Sequence, residues 1–227
     1  MSMKDIDNKK IVELVNSLNK ILNMLKSKNP KDRESSWQSI KLLIETGNVN
    51  ELVKHSKYLR SLLWYRLQGV RDDAWKNLNV YKALSISGIE RALTAKSDKI
   101  KWSAWNHVLE MINLQITSKK YVRSVRSSFW RLLRSNYATI RKKAWRLLVT
   151  LVKEGIFDNE NKGKILDFLK HKRANVRILA WKTSLSLLKL GFLSINDLIE
   201  YKSYLEDLRK RKSKVKKVAE KIIKELG

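Results

Sequence analysis

The sequence predicts an all-α fold, a solenoid of about six tandem helix pairs spanning residues 1–227 as a single domain. Three observations carry that expectation. One proline and seven glycines among 227 residues are too few for the turns of a β-sandwich or barrel. Hydrophobic residues make up 43% of the chain, enough to bury a core. A short pattern also returns along the whole length at the spacing of a helix pair.

The pattern is a β-branched residue, Arg or Lys, two variable residues, a small residue and Trp. It reads Val70-Arg71-Asp72-Asp73-Ala74-Trp75, Ile100-Lys101-Trp102-Ser103-Ala104-Trp105, Ile140-Arg141-Lys142-Lys143-Ala144-Trp145 and Val176-Arg177-Ile178-Leu179-Ala180-Trp181. Asp32-Arg33-Glu34-Ser35-Ser36-Trp37 is a degenerate first copy, and Val215-Lys216-Lys217-Val218-Ala219-Glu220 a degenerate last one. Anchor positions 37, 75, 105, 145, 181 and 220 lie 38, 30, 40, 36 and 39 residues apart. These spacings divide the chain into repeats at about 8–47, 48–87, 88–116, 117–155, 156–191 and 192–227. A lone helix pair of this size cannot bury its apolar face, whereas stacked pairs share a core.

Each repeat reads as two helices. Asn29-Pro30 and Gly47-Asn48 punctuate the first. In the fourth, Val122, Val125, Phe129, Leu132 and Leu133 fall at helical spacing from Lys119 to Arg134. Ser135-Asn136-Tyr137 breaks that helix, and Ile140, Ala144, Leu147, Leu148 and Leu151 begin a second one closed by Glu154-Gly155. The fifth follows the same plan, Lys164–Lys170 and then Asn175–Leu190 closed by Gly191. Within the pattern, Arg and Trp stand at i and i+4, a spacing that lets the guanidinium lie over the indole, a contact of roughly 0.5–2 kcal/mol.

Across residues 8–226 the chain resembles the HEAT-repeat family, whose second helix opens with Val-Arg-x-x-Ala after an Asp. The resemblance implies a right-handed α-solenoid with its second helices lining the concave side, and it leaves function open. It also implies an Arg–Asp ladder running from repeat to repeat. That acid is mostly missing here: Asn136 precedes Arg141, Gly69 precedes Arg71 and Asn175 precedes Arg177, although Asp98 precedes Lys101.

Charge gives the functional expectation. Lys and Arg number 49 against 22 Asp and Glu, a net +27, far beyond the magnitude of about 2–8 that keeps a small domain soluble. Residues 101–227 hold 30 basic and 11 acidic side chains, and from Met111 to Lys153 eleven cations occur with no acid. Such an excess points to a polyanion, with DNA placed ahead of RNA and largely sequence-independent contact to the phosphate backbone. With Ile140 at zero degrees on a helical wheel, Lys142, Arg146 and Lys153 fall opposite the apolar face, with Lys143 beside them. Lys182 and Lys189 fall likewise in the fifth repeat, Lys217 and Lys221 in the last, and Lys76 in the second. First helices add Arg123, Arg126 and Arg134 on a stripe with Lys119 and Trp130, the last either a surface on which a base would stack or a ring packed under a loop. These cations are the expected nucleic-acid-binding set. Arg209-Lys210-Arg211-Lys212-Ser213-Lys214 is a further basic run.

Other classes find little support. Absence of cysteine excludes disulfides, thiolate metal sites and a cysteine nucleophile. His55, His107 and His171 stand in different repeats without ligand spacing, and no Walker loop, nucleophile elbow or dinucleotide fingerprint occurs. The expectation is therefore no metal, no cofactor and no catalytic residue. Two alternatives remain, a scaffold for an acidic protein partner and a HEAT-like DNA glycosylase for which Asp72, Asp73 and Asp167 are the internal acids. No apolar run reaches the length of a membrane span and the first residues lack a secretion-signal pattern, so no membrane partner is expected. A cytoplasmic location is expected, nucleoid-associated if the ligand is DNA. The missing cysteine and the three glutamines, Gln38, Gln68 and Gln115, point to a thermophilic source.

Overall fold

The computed structural model describes residues 3–210 and 214–226. Every regular element among them is helical, as expected. The chain forms two compact units, Met1–Ser118 and Lys119–Gly227, divided at the start of the fourth expected repeat. Unit 1 runs α1 (Met3–Asn16), α2 (Leu18–Met24), α3 (Pro30–Glu45), α4 (Val49–Val53), α5 (Ser56–Leu62), α6 (Gln68–Lys76) and α7 (Leu78–Ala83). A 3-10 segment, Ile89–Thr94, then leads to α8 (Asp98–Asn106) and α9 (Val108–Asn113). Unit 2 has α10 (Lys119–Ser124), a 3-10 segment Arg126–Phe129, α11 (Trp130–Leu133) and α12 (Ala138–Lys153). It continues through α13 (Lys162–Asp167), α14 (Ala174–Lys189), α15 (Ile195–Ile199), α16 (Lys202–Arg209) and α17 (Lys214–Glu225).

The recurring hexapeptide opens the second helix of each pair, and its Arg and Trp do a different job from the stacking expected of them. Indole N–H groups of Trp75, Trp105, Trp145 and Trp181 donate to the carbonyls of Leu63, Leu93, Leu133 and Leu169, at 3.1, 3.1, 2.9 and 3.2 Å. In each case the acceptor lies twelve residues earlier, at the end of the preceding helix. Arg33, Arg71 and Arg141 reach the same turn, donating to the carbonyls of Ser27, Tyr65 and Ser135. Helix ends leave carbonyls without intrahelical donors. The motif's two N–H-rich side chains fill that need, so the guanidinium is drawn to backbone oxygen rather than to the indole face. All four indoles are fully buried, and so are the four leucines.

Contacts between neighbouring pairs also correct the ladder. Arg33 Nε donates to Asp73 at 2.6 Å, Arg71 Nε to the Ser103 hydroxyl at 3.1 Å, and Arg177 pairs with Asp207. The acid thus comes from the following pair of helices, not from the residue just before the arginine. Gly69 shows why an acid is absent at one such position: a Cβ there would lie 2.7 Å from Arg33 Nη2, whose guanidinium Asp73 and two carbonyls already hold. Arg141 has no such acceptor. It is only 6% exposed and its Nε has no hydrogen-bond partner, while burial, then the Arg173 charge, pulls its pKa below the usual value.

The far end of the second helix repeats just as closely in the first five pairs. Gly47, Ser85, Gln115, Gly155 and Gly191 all take positive φ. The next residue's N–H returns to a carbonyl five back: Asn48 to Leu43, Ile86 to Tyr81, Ile116 to Met111, Ile156 to Leu151 and Phe192 to Leu187. This is the Schellman arrangement. From Leu25, Leu63, Leu93, Leu133 and Leu169 to these five residues the spacing is constant, and length varies only between one left-handed residue and the next leucine. Ser85 and Gln115 carry a steric penalty that glycine does not. Gln115→Gly is therefore expected to stabilise the chain by about 0.5–1 kcal/mol, read as a rise of roughly 1–4 °C in Tm.

Several expected helices are bent or broken. In the second and third repeats the second helix divides, at Asn77 and at His107. The Asn77 amide donates to the Asp73 carbonyl at 2.7 Å, a local bond that competes with the helical ladder. The helix expected over Lys119–Arg134 also breaks, at Val125, where the Ser124 hydroxyl caps the Tyr121 carbonyl and a 3-10 turn follows. A 3-10 turn holds three residues rather than 3.6, so the stripe expected from Lys119 to Arg134 loses register there. Trp130 consequently turns inward. It is 9% exposed and packs on Phe157 with ring centroids 4.7 Å apart, so it offers no stacking surface.

A capping box closes unit 2's loop after Gly191: Ser194 and Asp197 exchange side-chain and backbone hydrogen bonds, and Lys162 Nζ lies 2.6 Å from Asp197. The Lys162 contact, then the two bonds from Ser194, lower the Asp197 pKa from 3.8 to about 2. A depressed carboxylate pKa stabilises the fold above the unfolded value, and that contribution disappears as pH falls from 3.8 through about 2. Asp197→Asn is expected to flatten this part of the acid limb, measured as the denaturant midpoint against pH.

Candidate nucleic-acid interface

α12 and α14 are 16-residue unbroken second helices of unit 2, and they pack on one another. Along α12, Ile140, Ala144, Leu148, Leu151 and Val152 turn into the core. Along α14, Val176, Ala180, Thr183, Ser184 and Leu187 do the same. The outward faces carry Lys142, Lys143, Arg146 and Lys153 on α12, with Lys182 and Lys189 on α14, all exposed. Among the described residues none of these six has an ion pair or a side-chain hydrogen bond.

Three of them meet. Lys142, Arg146 and Lys182 line a groove of about 550 Å³ between the helices, together with the hydroxyl-bearing Thr150, Thr183 and Ser186. Trp145, Val149 and Leu179 form its apolar walls. Among the described residues no carboxylate lines it. Cations and hydroxyl donors without an acid form a surface suited to phosphate oxygens. The charge pattern does not single out the hydroxyls; Thr150 and Ser186 stand four residues after Arg146 and Lys182, a spacing that marks them, whereas Thr183 directly follows Lys182. Leu179 occupies the motif position held by Asp73 and Ser103 in unit 1, which keeps the groove free of negative charge.

The other expected residues fall elsewhere. Lys143, Lys153 and Lys189 are exposed on the same helices outside the groove lining, and Lys189 stands in the last turn of α14. Arg123 and Arg126 are held by Asp158 at 2.9 and 3.0 Å, and Arg126 also by Glu160 at 2.7 Å. Their charge is balanced within the protein. Arg134 is exposed, and its backbone carbonyl accepts from Arg173. On α17 Lys217 is exposed, and Lys221 lies 3.9 Å from Glu225. Lys76 is exposed in the last turn of α6 in unit 1. Of the basic run, Arg209 pairs with Glu206 at 2.8 Å, while residues 211–213 lie outside the described residues.

The three candidate acids, His107 and His171 have partners within the protein. Asp73 holds Arg33, Asp72 accepts from Gln68 at 3.2 Å, and Asp167 sits between Lys164 and Lys170. His107 stacks on Trp75 at 5.9 Å and bonds Glu110 at 2.9 Å. His171 Nδ1 accepts from the Arg173 N–H, and burial followed by the Arg173 and Arg134 charges keeps its pKa below the usual value. Among the described residues no group of three or more His, Asp or Glu side chains is placed to hold a metal ion. No described helix is long and apolar enough to cross a membrane.

Five successive helix pairs share the same leucine, an Arg or Lys, a tryptophan and a left-handed cap, and the sixth keeps only a degenerate copy. The described residues form an all-helical repeat. No family model matches the chain, and no curated protein matches it. Among solved structures it is similar to a designed armadillo repeat protein at 15% identity and a TM-score of 0.40, covering 92% of this chain and 99% of that one. An engineered protein matches at 16% identity and a TM-score of 0.40, covering 92% of this chain and 96% of that one.

Proposed function

We propose that this HEAT-like repeat binds nucleic acid, duplex DNA foremost, by gripping the phosphate backbone with the α12–α14 face of unit 2. The observation that carries the reading is the Lys142, Arg146 and Lys182 groove, three cations with three hydroxyls and no acid. Among the described residues the six exposed cations on the two helices have no internal counter-charge, which leaves them available to an external anion. Contacts to phosphate are insensitive to base identity, which makes the grip largely sequence-independent.

The test is fluorescence anisotropy with a labelled duplex of about 20 base pairs, titrated between about 50 and 200 mM salt. If all six cations reach phosphates, the slope of log K against log salt is about −5, a loss of roughly a thousandfold across that range. Absence of binding at the lowest salt overturns the proposal. Polyglutamate binding as tightly as the duplex would instead assign the groove to an acidic protein partner.

A further inference from the structure

Unit 1 contains a pocket of about 340 Å³ that the duplex-binding proposal does not use. Lys57, Arg60 and Ser61 come from α5, Trp64 from the turn after it, and Gly88 and Arg91 from the 3-10 segment and its entry. Gly88 takes a left-handed conformation at φ +81°, and Arg60 Nη1 donates to the neighbouring Ser87 carbonyl at 3.2 Å. That bond ties the α5 wall to the opposite turn. A Cβ at Gly88 would lie 3.4 Å from Arg60 Nη1 and 3.8 Å from Arg91 Nε, so the bare glycine brings both guanidinium groups beside the same turn.

No carboxylate lines the pocket, and among the described residues Lys57, Arg60 and Arg91 form no ion pair. Trp64 stands outside the recurring motif. It is half-buried, and its indole makes none of the carbonyl bonds that hold Trp75, Trp105, Trp145 and Trp181. An aromatic wall facing three uncompensated cations calls for a ligand with both a flat ring and an anionic group, and the volume lies at the small end of the ligand-pocket range. We propose that this pocket binds a nucleotide, its base against the Trp64 indole and its phosphate among Arg60, Arg91 and Lys57. The nucleotide is either a free mononucleotide or an unpaired residue of a nucleic-acid strand, and the inference does not rest on the duplex-binding proposal.

Calorimetric titration of the full chain with adenosine 5′-monophosphate, with inorganic phosphate and with a short single-stranded oligonucleotide tests it. Saturable binding of the mononucleotide is expected if the source is free, and of the oligonucleotide alone if the source is a strand. Either affinity should fall about tenfold in Trp64→Leu and in Arg60→Gln/Arg91→Gln. The arginine pair guards against a fold defect at Trp64, with circular dichroism on both variants. Arg146→Glu/Lys182→Glu, which addresses the duplex groove, should leave mononucleotide affinity unchanged. Three results overturn the proposal: no saturable binding of either probe, binding that neither Trp64→Leu nor Arg60→Gln/Arg91→Gln weakens, or inorganic phosphate binding as tightly as the mononucleotide.

Discussion

Arg146→Glu combined with Lys182→Glu is expected to weaken duplex binding on the order of a hundredfold or more at about 100 mM salt. Both side chains line the α12–α14 groove, one from each helix. Each substitution removes a phosphate contact and places a repelling carboxylate in the same spot. The salt slope should become shallower by about two, one for each lost contact. Folding should be untouched, because both residues are exposed and neither has an ion pair or side-chain hydrogen bond among the described residues. On α12 the introduced carboxylate would even stand four residues after Lys142, a spacing at which opposite charges support a helix. Unchanged affinity with unchanged helicity would remove the groove from the interface. A variant of Arg123 and Arg126 gives the contrast: these already answer to Asp158 and Glu160, so their replacement by Gln should change affinity far less.

Trp145→Ala is expected to destabilise unit 2 by about 3–5 kcal/mol, measured by denaturant unfolding. The indole is fully buried, meets Phe168 edge-on with centroids 5.3 Å apart, and donates to the Leu133 carbonyl at 2.9 Å. Truncation opens a cavity between neighbouring helix pairs and strands a carbonyl at the end of α11. Trp145→Phe separates the two losses. It keeps much of the ring volume and removes only the donor, so its cost should be nearer 1–3 kcal/mol. If the two variants lose equal stability, the hydrogen bond to Leu133 dominates and the packing does not.

The second helices were legible in the sequence because their apolar residues keep a 3.6-residue period and because Arg and Trp recur at a fixed offset. Lys142, Arg146 and Lys182 were legible for the same reason, since on regular, unbroken helices the outward face follows from counting. Counting fails where the backbone departs from the ideal helix. Past Val125 the 3-10 turn shifts the register, which is why Trp130 was expected on a cationic stripe and lies instead against Phe157. It fails again for partners that are close only in space. Asp73 lies 40 residues after Arg33, and Asp158 lies 35 and 32 after Arg123 and Arg126. A wheel drawn on one helix contains neither. The leucine twelve residues before each tryptophan was present in the sequence, but it gains meaning only once the indole is seen to bond its carbonyl.

The constant spacing from that leucine to the left-handed cap also determines where this chain can change length. Removing one residue inside such a stretch would rotate everything after it by about 100°, carrying core side chains toward solvent and the Arg and Trp donors away from their carbonyls. Between Gly155 and Leu169, or between Gln115 and Leu133, no such phase is kept, and loop closure rises only slowly with added residues. Insertions and deletions are thus confined to these intervals. An epitope tag or a protease site placed between Gln115 and Lys119 would be accommodated, whereas the same insertion beside Ala144 would undo the register on which the groove depends.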